Sequence, residues 1–266
     1  MPTTSSTNFL AILNLLTFAL SIPILSTGIY LAAHAITECE KFLQTPLIAI
    51  GILLMLTSLV GFVGASSKNV FLLWVYLFAT FLLILAALTF TIFAFVVTNK
   101  GAGETVSGAR FMEFRLGNYS HWLQNRVGNA KNWKKIKSCL QDSKVCNSLQ
   151  NDNTTNKDEF LSKNLSPIQS GCCKPPTECG FIYRNPTVWD KPAGFSTSNS
   201  DCNAWQNDAS ILCYECQSCK AGVTENLKAD WKKVAIINIV FLALLIIVYA
   251  IGCRAFSNIQ EDRFYN

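Results

Sequence analysis

The chain has 266 residues, with 22 Lys or Arg against 17 Asp or Glu, a net charge of +5, 15% charged and 50% hydrophobic residues. Soluble domains carry about 25% charged residues, and here 31 of the 39 charges fall within residues 100–233. Residues 9–33, 46–67, 69–99 and 234–253 carry none, which excludes a soluble enzyme and leaves a membrane protein with one polar domain.

A spanning helix needs about 20 apolar residues. After a short N-terminal segment (1–8), spans are expected at 9–33, 46–65, 70–97 and 234–253. The first has no basic segment before its apolar run and a second span follows closely, so it reads as a retained anchor rather than a signal peptide. A small loop (34–45) and a tight turn (66–69) join the first three spans. The fourth follows a large loop of 136 residues (98–233) and leaves a tail, 254–266. Four spans put both termini on one side, and Lys68, Arg254 and Arg263 against Lys41 favour the cytosolic side by the positive-inside rule.

Small residues repeat in a 3-4 rhythm in the first span (Ala11, Asn14, Phe18, Ser21, Leu25, Gly28, Ala32) and in the second (Gly51, Leu54, Ser58, Gly61, Ala65). Asn14, Ser21, Gly28, Gly51, Ser58 and Gly61 are therefore expected to form a close helix-packing seam, because membrane helices associate by dispersion at short range. The four spans contain no Asp, Glu, Lys, Arg or His. A coupled transporter would ordinarily place an ionisable group at midplane. Asn14 and Asn238 read as interhelical glue, and Pro23 as a tolerated kink.

Three usable sequons lie in the large loop, at Asn118, Asn153 and Asn164, while Pro186 disqualifies Asn185. Nine of the eleven cysteines lie there too: Cys139, Cys146, Cys172, Cys173, Cys179, Cys202, Cys213, Cys216 and Cys219. Sequons and dense cysteine together place this loop outside the cytosol. With Cys39 of the small loop the lumenal cysteines number ten and can all pair, which leaves Cys253 beside Arg254 as a candidate for palmitoylation. The pairing itself stays open at this level. An oxidising compartment favours disulfides over an iron–sulfur or zinc site. The competing reading is a four-span thiol-redox enzyme using Cys213, Cys216 or Cys219. His34 and His121 sit in no catalytic motif, there is no phosphate-binding fingerprint, and no cofactor or nucleic-acid partner is expected. The basic run 131–137 reads as a solvated helix face, with acidic polysaccharide or lipid headgroups as its secondary possibility.

Phe111, Phe114, Trp122 and Ile136 recur at near-helical spacing, which predicts a helical stalk over 104–137 after the third span. Residues 224–233 should run unbroken into the fourth. Between them, 180–209 interleaves aromatic residues with Pro186, Pro192 and Gly194, which forbids a long helix. Tyr183 and Phe195 are the expected partner-binding anchors there, with Trp189 and Trp205 divided between anchor and core.

Gly171-Cys172-Cys173-Lys174-Pro175-Pro176-x2-Cys179 and Cys213-Tyr214-Glu215-Cys216-Gln217-Ser218-Cys219-Lys220-Ala221-Gly222-Val223 resemble the large-loop motifs of plant tetraspanins. Asn14-Leu15-Leu16-Thr17-Phe18, Ser21-Ile22-Pro23-Ile24 and Gly61-Phe62-Val63-Gly64 resemble that branch's first two spans. The animal Cys-Cys-Gly motif is not matched, because Lys174 follows Cys173. The resemblance implies an all-α protein of four transmembrane helices with a disulfide-rich extracellular loop. It implies a non-enzymatic scaffold in the plasma membrane, and in endosomal or extracellular-vesicle membranes, that associates with lipids, other tetraspanins and client membrane proteins. Roles in differentiation and senescence come with it. By analogy with animal relatives, one of Cys172 and Cys173 should pair with Cys179 and the other within Cys213–Cys219.

Overall fold

The computed structural model describes residues 3–34, 38–100 and 103–265, with side chains at 7–33, 44–100 and 103–261. By internal packing the chain divides into two units, 1–93 with 234–266, and 94–233.

Helices α1 (Thr3–His34), α2 (Glu38–Ser66), α3 (Val70–Thr98) and the long α10 (Gln217–Tyr265) each contain a stretch long and apolar enough to cross a membrane. These stretches are apolar all round, as expected of helices whose solvent is lipid. Large side chains such as Phe71, Trp74, Ile92 and Val240 point away from the protein. α2 begins before Pro46, so most of the predicted small loop is helical. Pro46 does not start the helix but sits inside it, as Pro23 does in α1. The Ser26 and Thr27 hydroxyls donate to the Pro23 carbonyl at 3.0 and 2.7 Å, local bonds that suit a proline-containing turn in an apolar medium.

The membrane unit is organised by the seam between α1 and α2. Asn14, Ser21 and Gly28 are buried one heptad apart, opposite buried Gly51, Ser58 and Gly61. Gly28 lies against Ile48, Gly51 against Leu25 and Gly61 against Asn14, an antiparallel match along both helices. Each polar group in the seam is satisfied: Ser21 Oγ donates to Phe18 O, Ser58 Oγ to Leu54 O and Asn14 Nδ2 to Leu10 O. At the fourth helix, Asn238 Nδ2 donates to Ala87 O at 3.0 Å and Thr91 Oγ1 at 2.7 Å, so this asparagine ties α10 to α3.

A Cβ on Gly51 would meet Leu25 Cα and Cβ at 2.9 Å, and backbone cannot rotate aside. Gly51→Ala should therefore spread the pair and cost about 1–3 kcal/mol, read as a lower melting temperature of the full chain in detergent. An unchanged melting temperature would show that the seam gives way freely.

The second unit is a small, disulfide-rich head. A short hairpin, β1 (Glu104–Thr105) with β2 (Met112–Glu113), leads to α4 (His121–Gly128) and α5 (Ala130–Asp142). The predicted stalk is thus α-helical only from His121 onward, after one 3-10 turn at Leu116–Asn118. Gly103 and Gly108 interrupt the segment before it, and Gly108 at φ +77° turns the hairpin in a conformation that favours glycine. Short helices follow at α6 (Asn147–Gln150), α7 (Lys157–Leu161), α8 (Pro167–Cys172) and α9 (Ser200–Ala204). A second hairpin, β3 (Ile182–Asn185) and β4 (Val188–Asp190), lies between the last two. Asn129 and Asn156 cap α5 and α7. Ser166 and Gln169 form a reciprocal capping box on α8, with Pro167 at its first turn.

Candidate functional site

The head's architecture converges on two cysteine motifs. Ser166-Pro167-x-Gln169 starts α8, which lasts barely two turns and delivers Cys172 and Cys173 into the core. These adjacent cysteines do not bond each other, and they diverge. Cys172 bonds Cys219 of α10, and Cys173 bonds Cys146. Cys179 bonds Cys202, and Cys213 bonds Cys216. Cys139 is also disulfide-bonded. The expected pairing of Cys172 or Cys173 with Cys179 is therefore corrected. Cys179 lies after the Pro175-Pro176 extension and faces α9, where Cys202 is within reach at a Cα separation of 5.4 Å. The link to the Cys213–Cys219 cluster is present. Cys39 lies outside the described residues.

α8 and α10 approach each other through two glycines. Gly171 rests on the backbone of Ser218 and Cys219, and Gly222 rests on Pro167 and Ile168. Ser218 Oγ donates to Gly171 O at 3.1 Å, and the Cys172–Cys219 bridge closes the same contact. Asp201 caps the start of α10 from α9. Its two carboxylate oxygens accept the backbone N–H groups of Gln217 and Ser218, both at 2.8 Å, at the positive end of the helix dipole.

Lys174 of the first motif is only 1% exposed. Its ammonium pairs with Glu113 of β2, donates to Pro175 O and stands over the Phe111 ring at 4.9 Å. Glu113 also accepts from the Thr177 backbone and hydroxyl. Burial pushes the Lys174 pKa down more strongly than the Glu113 charge holds it up. The motif's lysine is thus an internal strut joining the Lys174–Thr177 turn to the first hairpin, a role the sequence did not disclose.

Tyr183 and Phe195, expected as outward anchors, are instead half-buried in aromatic packing. Tyr183 stacks on Phe160 at 5.3 Å and meets its cross-strand neighbour Trp189 edge-on at 5.0 Å, while its hydroxyl donates to Thr154 O. Burial, then the charges of Asp152 and Glu159, push the Tyr183 phenol up to about 12. Phe195 lies edge-on to Phe181 at 5.0 Å beneath Lys191. Trp189 and Trp205 belong to the core. Cross-links alone supply too little apolar burial for a small head, and these rings make up the rest.

The three sequon asparagines are exposed, but their surroundings differ. Asn153 follows Asp152, whose carboxylate is held well below its usual range by Lys163 and Thr154, and Thr155 is exposed. In the Asn164 sequon the Ser166 hydroxyl is engaged as the α8 cap. At Asn118 the next residue, Tyr119, is buried and donates to Glu225 at 2.9 Å. The Ser120 hydroxyl there is buried with no hydrogen-bond partner among the described residues. Cys253 is the free cysteine among them, and is partly exposed on α10.

Comparison with known proteins places this geometry in context. The Tetraspanin family model matches residues 6–255. Among curated proteins of Arabidopsis thaliana, Tetraspanin-8 is 53% identical over 262 residues, covering 98% of this chain and 96% of the relative. Tetraspanin-7 is 54% identical, covering 95% and 96%. Protein TORNADO 2 is 41% identical, covering 98% and 96%.

Proposed function

The chain belongs to the tetraspanin family, and from that premise we propose that it is a non-enzymatic scaffold that organises other membrane proteins laterally. In this reading the termini are cytosolic, the head (98–233) faces the cell exterior, and the protein resides in the plasma membrane or in vesicles derived from it. Asn153 carries a glycan most readily, and Asn118 only if modified before the head folds. Cys253 takes an acyl chain at the inner face.

The observation that carries the reading is the rigidity built into the head. Four disulfides among the described residues, the capped start of α10 and the buried Lys174–Glu113 pair fix a polar surface in one shape. A preorganised surface binds partners with little ordering cost. The redox alternative finds no support, because the sulfurs of the Cys213–Cys216 bridge are buried, and thiol–disulfide exchange needs access to one of them.

Proximity labelling from the head in native membranes should mark a restricted set of membrane proteins, beyond those marked by an unrelated four-span protein of equal abundance. A set indistinguishable from that control would defeat the scaffold reading. Protease added to intact cells tests the sidedness separately: it should cut within 98–233 and spare the tail at 254–266.

A further inference from the structure

A groove of about 540 Å³ opens beside α5, with Ala130, Trp133, Lys134 and Lys137 on one side and Glu215 and Lys220 on the other. Lys131 and Lys135 flank it on the same helix. Glu215 is the one carboxylate among the described lining residues, and it is taken by Lys137. Among the described residues no carboxylate lies within ion-pair distance of Lys131, Lys134, Lys135 or Lys220. The groove therefore has a surplus of unneutralised cations.

The arrangement discriminates among polyanions. α5 rises about 1.5 Å per residue, so the lining residues Lys134 and Lys137 stand roughly 4.5 Å apart along its axis, with Lys220 also lining the groove. Three cations around one groove at that spacing suit a linear chain with one charge per monomer. Single-stranded nucleic acid would find no open aromatic face for its bases, because Trp133 is buried, with its ring under Lys220 at 5.4 Å and its indole N–H donated to Tyr214 O. A lipid would need an apolar slot for its acyl chains, and the lining offers only Ala130 and the edge of Trp133. Ser138 and Gln141 add polar groups suited to sugar hydroxyls.

We propose that this groove binds a linear acidic polysaccharide of the polyuronate class, through Lys134, Lys137 and Lys220. The proposal rests on the reading that the head faces the cell exterior, where such chains occur. The salt bridge to Glu215 holds Lys137 back, so ligand carboxylates compete with it.

The test uses the purified full chain in neutral detergent and a fluorescent oligogalacturonate, which makes it independent of sidedness in the cell. Wild-type protein should bind, with affinity falling as salt is added. Lys134→Gln with Lys220→Gln should weaken binding about tenfold or more. Glu215→Gln should tighten it by freeing Lys137. Lys157→Gln, on α7 away from the groove, should change nothing. Absence of binding, equal weakening by Lys157→Gln, or a preference for phosphatidylserine vesicles over oligogalacturonate would each overturn the proposal. If binding holds but protease on intact cells cuts the 254–266 tail and not 98–233, the groove stands and the exterior placement falls.

Discussion

Glu113→Gln should destabilise the head by on the order of 3 kcal/mol, because it leaves the buried Lys174 ammonium without its counter-charge. The carboxylate does three things at once. It neutralises Lys174 and accepts both the backbone N–H and the hydroxyl of Thr177. A neutral amide keeps one acceptor oxygen and loses the charge. The informative comparison is with Lys174→Met, which keeps the long unbranched stem against Phe111 and removes the charge that needs a partner. Lys174→Met combined with Glu113→Gln should recover most of the stability lost in Glu113→Gln alone. Thermal unfolding of the full chain under non-reducing conditions measures all three. Equal losses in the single and double variants would mean that the pair acts through hydrogen bonds to Thr177 rather than through the buried charge.

The membrane unit was largely legible in the sequence, and the head only in outline. Span identity follows from charge-free apolar runs, because lipid leaves a backbone few other options. The seam of Asn14, Ser21 and Gly28 against Gly51, Ser58 and Gly61 was also readable, since close helix contact demands small side chains at a fixed period. The head is governed by contacts between residues far apart in the chain, which no local pattern records. Glu113 lies 61 residues from Lys174, with nothing in its neighbourhood to single it out. Asp201 caps a helix that begins 16 residues later. The aromatic residues Tyr183 and Phe195 looked like anchors because they stand among prolines and polar residues. The cross-strand partner Trp189 and the distant Phe160 that absorb Tyr183 are set by the tertiary fold. The expected stalk begins instead as a hairpin for a simpler reason: Gly108, at φ +77°, lets the chain turn back, which the near-helical spacing of four apolar residues does not record.

Gly171→Ala should be more damaging than its single methyl group suggests. The added Cβ would fall 2.3 Å from Ser218 O, 2.9 Å from Ser218 C and 3.2 Å from Cys219 Cα. All are backbone atoms of α10, so relief requires α8 and α10 to separate by about an ångström. Gly222→Ala produces the reciprocal clash, 2.2 Å from Pro167 O, and should behave alike. Overpacking of this kind costs about 1–3 kcal/mol when side chains can adapt, and a backbone contact belongs at or above the upper end. The cross-link at this contact should survive the strain. Cys172 and Cys219 lie with their Cα atoms 4.3 Å apart, at the short end of the disulfide range, so helices held apart by about another ångström still leave the two thiols within bonding reach. The loss should therefore appear as a lower melting temperature with native pairing kept. Gly128 supplies the control. A Cβ there meets nothing within 4 Å, and alanine is the better helix former, so Gly128→Ala should keep native pairing and equal or slightly higher stability. Thermal unfolding of the full chain in detergent should give a lower melting temperature in Gly171→Ala and Gly222→Ala and not in Gly128→Ala, with peptide mapping under non-reducing conditions finding the Cys172–Cys219 link in all three. A wild-type melting temperature in Gly171→Ala would show that α8 can move aside freely, and the close approach of the two helices would lose its structural meaning.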